Sequence, residues 1–238
     1  PAEGRVTAGA AERESLDSLS RGVYVRADVV AGKPLTDADV FFAFPPEPGQ
    51  VLTSDWSKYR RFVTTAPIAA NGALTPANTR SSNLRQQILE AVQKVKGLLS
   101  EGHIVVPGKS DLEISHHYGM EQFDEYGLVM ITVVNREYCK KLIVMLPGQT
   151  HPEQHHLKKE ETFMILHGEI DIALDGEMKT YRSGDVVVVS RGTRHLFHTK
   201  SGVVFEELSS THYKDDSYYT DPAIQSNLHR KTLLTYWM

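Results

Sequence analysis

The sequence predicts a mainly β protein in which two β-rich parts are joined by one helix. Residues 103–238 contain six short β-branched or apolar segments separated by turn residues, a spacing typical of a sandwich or barrel. Residues 16–80 contain two similar β-branched segments, each followed by a glycine turn. Residues 81–102 repeat their apolar positions with the period of an amphipathic helix, and we assign them as the connector.

The composition is that of a globular protein and excludes several classes of partner. The 238 residues carry a net charge of -4 without a dense basic block, so nucleic acid is not an expected partner. The longest apolar runs, "LIVML" and "VVVV", have the length of strands and are far too short to span a bilayer. Cys139 is the single cysteine, which predicts a small buried side chain in a reducing, cytoplasmic protein.

The beginning of the chain has the composition of a lead-in. Residues 1–20 are polar and rich in alanine, glycine and serine, which predicts a flexible stretch over residues 1–15 and order from about Arg21. A basic end followed by an apolar core is missing, so no signal peptide is predicted. The chain begins on Pro1 without a methionine, and we interpret it as a piece of a longer protein.

The first β-rich part contains an internal repeat. "VYVRADVVAGKPLTDADV" at 23–40 aligns without a gap on "FVTTAPIAANGALTPANT" at 62–79, 39 residues later. Each copy predicts a strand, a glycine turn at Gly32 or Gly72, and a short capped helical turn. The two copies are expected to pair into one small module, because neither can bury a face alone. The alignment has five identities, so chance similarity is the alternative.

Residues 81–100 predict an amphipathic helix. Its apolar side chains fall on one stripe, which consists of Leu84, Ile88, Val92, Val95 and Leu99. Gly102 is the expected stop. The stripe lasts for less than three heptads, which favours packing onto a domain over a coiled-coil dimer seam.

The second β-rich part predicts strands over 127–134, 139–146, 161–167, 169–176, 185–190 and 202–209. Asp175 and Gly176 are a strong hairpin signal, because both residue types adopt the positive φ that a tight turn needs. Short strands without helices between them predict a sandwich or a barrel.

Histidines are concentrated in this second part, where six of the eleven lie between residues 151 and 198. Side chains at i and i+2 of an extended segment share a face, which places Gln154 with His156, and His195 with Phe197. His156, Glu161 and His195 are then able to converge inside a small barrel. Two imidazoles and a carboxylate with open positions suit a divalent transition metal such as Mn, Fe, Co, Ni or Zn.

Other polar residues of this region are expected to be structural. Ordinary interior or surface positions are predicted for His151, His155, His167 and His198. An exposed stretch of charged residues is predicted for Lys158, Lys159 and Glu160. A hydrogen-bonded histidine without a metal is the alternative for His156 and His195.

The spacing resembles the two motifs of the cupin family. The first, G-x5-H-x-H-x4-E-x6-G, corresponds to Gly148, Gln154, His156, Glu161 and Gly168. The second, G-x5-P-x-G-x2-H-x3-N, corresponds to Gly184, Ser190, Gly192, His195 and Thr199. The resemblance implies a double-stranded β-helix, or jelly-roll, barrel. The chain departs from these motifs at Ser190, Thr199 and Gln154, and Gln154 stands in place of the first ligand histidine.

The resemblance implies a ligand set of Gln154, His156, Glu161 and His195. A glutamine offers a neutral oxygen, which is a poorer ligand than imidazole for these metals. Two outcomes remain open: the metal binds weakly because of Gln154, or the metal site has been lost.

The wider stretch is similar to cupins of the D-lyxose isomerase type, whose motifs run P-x-H-x-H-x2-K-x-E, then H-x-F, E-V-S and D-D. The matching residues are Pro152, His156, Lys159, Glu161, His195, Phe197, Glu207, Ser209, Asp215 and Asp216. This resemblance implies Glu207 as the catalytic base and Lys141 as a helper. Glu206 and Glu207 lie on opposite faces of a strand, so only one of them can point inward.

The first part is similar to the SAF, or antifreeze-like, domain at the C-terminus of sialic acid (N-acetylneuraminate) synthases, a small β-clip module. The segments that carry the resemblance are "SRGVYVRADVVAGKPLTDADV" and "RRFVTTAPIAANGALTP". It implies Arg21 as a contact to the sugar, with an exposed surface arginine as the alternative. It also implies a synthase (β/α)8 barrel upstream of residue 1.

The two resemblances imply an accessory C-terminal region of a sialic acid synthase-like enzyme, in which the cupin binds a divalent metal and a sugar or sugar acid. The alternative is a metal-dependent aldose–ketose isomerase that acts through an enediol. There a metal would polarise the sugar oxygens and a carboxylate would move the proton. A structural tail is a third hypothesis, and a homodimer is expected under all three because cupins commonly pair.

Overall fold

The computed structural model describes residues 9–227 and 229–237, which divide into two compact units, one ending at Gln86 and one beginning at Gln87. Part of the lead-in expected over residues 1–15 lies outside the described residues. The part that is described contains a helix, α1 (Ala10–Ser18), which starts well before Arg21. The sequence analysis missed α1 because it lacks a clear apolar stripe; alanine, glutamate and arginine favour it by propensity.

The first unit is built from two antiparallel pairs of strands. The strands are β1 (Gly22–Val25), β2 (Val40–Ala43), β3 (Arg60–Thr64) and β4 (Thr79–Asn83). β1 pairs with β2, and β3 pairs with β4. The core between them contains Val23, Val25, Val29, Leu35, Val40, Phe62, Ile68 and Leu74.

The internal repeat is present in the backbone pairing of this unit. Val29 forms a bridge with Ile68, its own counterpart 39 residues later. The bridge between Tyr24 and Ala73 is matched by one between their counterparts, Val63 and Pro34. Equivalent residues therefore make reciprocal contacts, which relate the two copies by an approximate two-fold axis. The predicted pairing of the two copies into one module is confirmed.

Each copy also contains the same side-chain-closed turn. Asp39 accepts a hydrogen bond from the backbone N–H of Thr36 at 2.9 Å, and Asn78 accepts one from Thr75 at 2.8 Å. The predicted helical turns do not extend into helices. They stay single turns because the chain enters β2 and β4 directly afterwards.

The connecting helix is α2 (Leu84–Glu101), which begins three residues later than the sequence predicts. The preceding residues belong to β4. Asn83 caps the helix, because its side chain accepts hydrogen bonds from the backbone N–H groups of Arg85 and Gln86. The predicted stripe is confirmed best in its second half, where the buried residues are Ala91, Val92, Val95, Leu98 and Leu99.

The helix ends at Glu101, and the left-handed residue that closes it is His103 rather than Gly102. His103 has a φ of 53°, and the N–H of Ile104 donates to the carbonyl of Leu99 at 2.9 Å, which closes a Schellman motif. Gly102 serves a different purpose, since a Cβ there would lie 2.9 Å from the Cβ of His167. The glycine allows a close approach instead of a left-handed turn.

The second unit, as far as it is described, contains eleven strands and two short helices. The strands are β5 (Asp111–His116), β6 (Gly127–Asn135), β7 (Tyr138–Met145), β8 (Thr150–His155), β9 (Glu161–Leu174), β10 (Glu177–Arg182), β11 (Val186–Val189), β12 (His195–His198), β13 (Val203–Ser210), β14 (Tyr218–Tyr219) and β15 (Lys231–Leu234). The helices are α3 (Phe123–Tyr126), preceded by a 3-10 turn at Met120–Gln122, and α4 (Pro222–Ser226).

All pairings are antiparallel, and the sheet runs in the order β14-β8-β12-β9-β13-β7-β6-β5-β15, with β10 and β11 also paired to β9. The sheet curls into the barrel of the predicted jelly-roll class. Its interior is filled by large apolar side chains, among them Met145, Phe163, Ile165, Ile170, Ile172 and Phe205. None of the helices that the structure describes is long and apolar enough to cross a bilayer.

The two predicted strands at 161–167 and 169–176 are halves of the single strand β9. Its first half pairs with β11 and β13, and its second half pairs with β10 and β12. Gly168 separates the halves at a φ of 84°, where a Cβ would meet the carbonyl oxygen of Gly202 at 2.3 Å. Because of this glycine, one continuous strand can pair with β11 and β13 in its first half and with β10 and β12 in its second. The predicted hairpin at Asp175 and Gly176 is confirmed between β9 and β10.

Candidate functional site

Three predicted ligands meet inside the barrel of the second unit. Nε2 of His156 lies 3.5 Å from Oε1 of Glu161, and Nε2 of His195 lies 3.6 Å from Oε2 of the same carboxylate. One ligand atom from each residue lies within 4.8 Å of the others. All three residues are buried. The structure therefore brings together, from the end of β8, the start of β9 and the start of β12, the set that the spacing predicts.

Gln154, the fourth predicted ligand, faces the same interior. Its Nε2 lies 3.4 Å from Nε2 of His195, and β8 and β12 pair directly through these two residues. The register of the β8–β12 pairing shifts between the Gln154–His195 pair and the His151–Phe197 pair, which is typical of a β-bulge. Because of this shift, His151 also points inward although it is three residues away from Gln154.

A hydrogen bond at Nδ1, the ring nitrogen that faces away from Glu161, orients each imidazole. Nδ1 of His156 hydrogen-bonds the backbone carbonyl of Asp216, and Nδ1 of His195 lies 3.1 Å from the carbonyl of Thr193. A proton held on each Nδ1 leaves Nε2 as a free lone pair that points to Glu161. Burial lowers the pKa of His156 to about 4 and lowers that of His195, with Glu161 opposing both shifts. Both rings are neutral at pH 7, which is the form that binds metals.

The donor set fits a divalent ion. Oε1 of Gln154, Nε2 of His156 and Oε2 of Glu161 are buried and lack a hydrogen-bond partner within the described part of the chain. Each such unpaired atom costs on the order of 1–3 kcal/mol, and an ion that accepts all three as ligands removes that cost. Two nitrogen and two oxygen donors suit a borderline first-row metal.

Lys159 is the main correction to the sequence analysis. It is not part of a solvated run: its side chain is 3% exposed and its Nζ contacts Oε1 of Glu161 and, at 3.1 Å, Oε1 of Glu207. The chain leaves β8 after His155, so the alternation that would have placed this lysine no longer applies. Its neighbours Lys158 and Glu160 are exposed, as predicted.

Glu207 points inward and lies between two lysines. Its Oε1 accepts hydrogen bonds from Nζ of Lys141 at 3.4 Å, Nζ of Lys159 at 3.1 Å and Oγ of Ser209 at 3.0 Å. Glu206 faces the other way and pairs with Lys140 at 3.1 Å. The alternation argument, which allowed only one of the two glutamates to enter the barrel, is confirmed.

Neighbouring charges decide the ionisation of Glu207 and Lys159. Burial would raise the pKa of Glu207, but Lys141 and Lys159 lower it below its ordinary value. Burial would lower the pKa of Lys159, but Glu207 and Glu161 raise it. The carboxylate of Glu207 and the ammonium of Lys159 are therefore both ionised at neutral pH.

Asp216 holds the segment that carries His156 and Lys159. Its buried carboxylate accepts hydrogen bonds from the backbone N–H groups of Leu157, Lys158 and Lys159 at 3.0–3.1 Å. Burial opposes ionisation, but these three bonds lower the pKa of Asp216. Asp216 belongs to the D-D motif named above, but the motif alone predicts no role for it.

The remaining predicted residues lie away from the ligand cluster. His155 stacks on Tyr218 with ring centroids 5.3 Å apart, and His198 contacts the hydroxyl of Thr150 at 3.0 Å. His167 is half-buried near Glu101. Cys139 is buried, and burial raises the pKa of its thiol, as expected of an inert core cysteine.

Arg21, the predicted sugar contact, is exposed in the first unit. Its guanidinium lies 4.9 Å from the centre of the Phe44 ring. A role in binding a sugar therefore stays a prediction.

The cluster opens onto a cavity of about 40 Å³, which we call the inner cavity. Besides the ligand residues it is lined by Lys141, Lys159, Glu207, His151, His212 and Tyr219. Burial lowers the pKa of His212 to about 3 and raises that of Tyr219 to about 12. Predicted ligands, predicted base and predicted helper thus share one space.

Comparison with known families agrees with this geometry. Residues 141–208 match the model of the cupin domain, and residues 20–80 match that of the SAF domain. The chain therefore contains one segment that matches the SAF domain and one that matches the cupin domain, and the ligand cluster described above lies within the second segment.

Curated relatives and solved structures resemble the second unit. The D-lyxose/D-mannose isomerase of Thermosediminibacter oceani is 24% identical over 172 residues, which are 59% of this chain and 94% of that protein. A D-lyxose ketol-isomerase of a Thermofilum species is 27% identical over 172 residues, covering 59% and 95%. L-ribose isomerase of Cellulomonas parahominis superposes with a TM-score of 0.52 at 14% identity, covering 60% and 95%, a likeness of fold alone.

Proposed function

We propose that the cupin unit is a metal-dependent aldose–ketose isomerase. The observation that carries the proposal is the position of Glu207, an ionised carboxylate that shares the inner cavity with the cluster of His156, Glu161 and His195. A base beside a metal site is the arrangement that proton transfer next to a sugar carbonyl requires. Relatives named D-lyxose isomerases, covered by this chain almost from end to end, support it.

In this proposal Gln154, His156, Glu161 and His195 hold the metal. A bound divalent ion supplies positive charge that stabilises negative charge developing on the sugar oxygens. Gln154 contributes a weaker ligand than a histidine would, so the ion is held less tightly than by three imidazoles and a carboxylate.

Glu207 moves the proton. The hydrogen bonds that it accepts from described residues converge on Oε1, so Oε2 is the oxygen that we assign to the substrate. Oε2 takes the proton from C2 of the aldose while the C–H electrons form a C1–C2 double bond and O1 takes a proton from Nζ of Lys159. The same carboxyl then returns its proton to C1, O2 gives its proton back to Nζ of Lys159, and the ketose is formed.

Lys159 assists from the same side. An ammonium group has three N–H donors, and two of them are used on Glu161 and Glu207. The third is free to donate to the sugar oxygen on which charge develops. Lys141 keeps Glu207 ionised, which is the helper role expected of it.

The test is interconversion of sugars by protein loaded with Mn, Co, Ni or Zn. D-lyxose or D-mannose should yield the matching ketose, chelation should abolish turnover, and E207Q should lose about 10²–10⁴-fold in rate. E206Q is the matched control, because its side chain lies outside the barrel. Absence of interconversion across this panel of metals would contradict the proposal.

The accessory role in a sialic acid synthase-like enzyme is a second candidate, although the matches reported above do not support that context. Two features favour it: the SAF unit, and Gln154 at a ligand position. It predicts that the protein binds sugar acids without converting any aldose. Calorimetry with N-acetylneuraminate beside the turnover assay separates the two candidates.

A further inference from the structure

The inner cavity is too small to hold a whole sugar. Its 40 Å³ has space for about three water molecules, enough for the reacting end of a chain and little else. A second, outer cavity of about 560 Å³ shares Met130, Lys141, His212 and Lys231 with the inner one. A substrate that extends from Glu207 past these shared residues enters the outer cavity, whose lining then contacts its far end.

Cations outnumber anions in this lining. The lining contains four cationic residues, Lys141, Lys214, Arg230 and Lys231, and two acidic residues, Asp111 and Glu113. Glu113 is already neutralised, since its Oε1 lies 2.8 Å from Nζ of Lys231. Lys141 is likewise engaged with Glu207. Asp111 is exposed at the beginning of β5. Arg230 and Lys214 remain against the single carboxylate of Asp111, so the lining keeps an excess of positive charge.

Arg230 is held in place with donors to spare. Its backbone carbonyl accepts a hydrogen bond from the N–H of His116 at 2.8 Å, and one guanidinium nitrogen, Nη1, donates to the carbonyl of Asn227 at 3.4 Å. The guanidinium lies 5.3 Å from the centre of the Tyr219 ring. Its Nε is buried and lacks a hydrogen-bond partner within the residues that the structure describes. Tyr219 itself lines the inner cavity, so Arg230 lies at the junction of the two spaces.

We infer that the outer cavity is a subsite for a negatively charged group at the end of the sugar away from its carbonyl. Arginine and lysine together recognise phosphate and carboxylate, and a planar guanidinium offers paired donors to either. This inference rests on the proposed function for the direction of the sugar, with its carbonyl in the inner cavity. It adds a substrate class: a sugar phosphate or a sugar acid in preference to a neutral sugar.

The test compares three ligands with the metal-loaded protein by calorimetry at fixed ionic strength: D-mannose, D-mannose 6-phosphate and D-mannuronate. At least one charged ligand should bind about tenfold or more tightly than D-mannose. The two charged arms distinguish phosphate from carboxylate. R230Q and K214Q should each reduce that preference, measured as the ratio of the affinities for charged and neutral ligand, several-fold, whereas R230K should keep most of it.

K200Q is the matched control, since Lys200 is exposed and lines neither cavity. Equal affinity for all three ligands, no binding of any of them, or a preference that survives both R230Q and K214Q would overturn the subsite. Turnover is read separately. If the protein interconverts D-mannose but binds charged and neutral ligands equally, the isomerase proposal holds and the subsite is refuted. If a charged ligand binds in a way that depends on Arg230 but no sugar is converted, the subsite holds and the isomerase proposal is refuted.

Discussion

The backbone carbonyl of Asp216 accepts a hydrogen bond from Nδ1 of His156, sixty residues earlier in the chain. The carboxylate of the same aspartate holds the next three backbone N–H groups. One buried residue therefore fixes both the ring that would bind the metal and the segment that carries Lys159.

D216N should weaken metal binding without removing any ligand. The amide offers one acceptor oxygen where the carboxylate offers two, so the loop that positions His156 loosens. Loss of such an outer contact typically costs about 10–100-fold in metal affinity. Titration of the apoprotein with Zn or Mn measures the change. D215N is the matched control, because Asp215 is exposed and pairs with Lys158 at 2.8 Å; equal effects in the two variants would refute the positioning role.

Q154H should tighten the metal site. Imidazole is a better ligand than an amide oxygen for Zn, Ni or Co, and a histidine on β8 at this position faces His195 and Glu161. We expect metal affinity to rise by about tenfold or more. Competition with a chromogenic chelator provides the number. An affinity equal to or lower than that of the wild-type protein would show that Gln154 lies outside the ligand set.

K159M should destabilise the cupin unit. Glu161 and Glu207 are both buried, and each would lose its contact with the same ammonium group. Removing one partner of a buried ion pair costs about 3–5 kcal/mol. Denaturant unfolding of K159M and of K158M tests this, and the exposed Lys158 should change the free energy of unfolding by no more than about 0.5 kcal/mol. A K159M protein as stable as K158M would show that the buried charges have other partners.

The SAF unit should lose stability in acid through Asp39. Hydrogen bonds from Lys33 and Thr36 lower the pKa of Asp39 from 3.8 to about 2. The folded value lies below the unfolded one, so the stabilisation is fully present above pH 3.8 and is lost as the pH falls towards 2. D39N should therefore cost about 1 kcal/mol at pH 7, and this cost should shrink as the pH falls from 3.8 through 2. A cost independent of pH would contradict this assignment.

The spacing of residues predicted much of the fold and of the candidate site. Motif distances predicted that His156, Glu161 and His195 meet. Period-two alternation allowed only one of Glu206 and Glu207 to point inward, and the resemblance to D-lyxose isomerase-type cupins indicated Glu207. Strands β8 and β12 were not among the predicted strands, because their histidines and other polar residues obscure the apolar–polar alternation of a strand. Lys159 was misassigned because it lies beyond the end of a strand, in a run of charges whose exposure depends on long-range contacts with Glu207 and Asp216.

The outer cavity could not be predicted from the sequence. Arg230 and Lys214 lie in separate segments near the end of the chain, without a motif that relates them to β5, β6 or β7. Their meeting depends on the pairing of β15 with β5, in which Lys231 faces Ser115. Periodicity within one segment cannot predict which distant strands become neighbours.

The most direct test of the proposed isomerase follows solvent deuterium during turnover. Metal-loaded protein converting a ketose to its aldose in D2O should place deuterium at C2 of the product, because Glu207 exchanges its proton with solvent between the two transfers. E206Q should behave like the wild-type protein, and E207Q should lose both turnover and label. Turnover by E207Q at the wild-type rate, turnover that leaves protium at C2, or no turnover by the loaded wild-type protein would contradict the account.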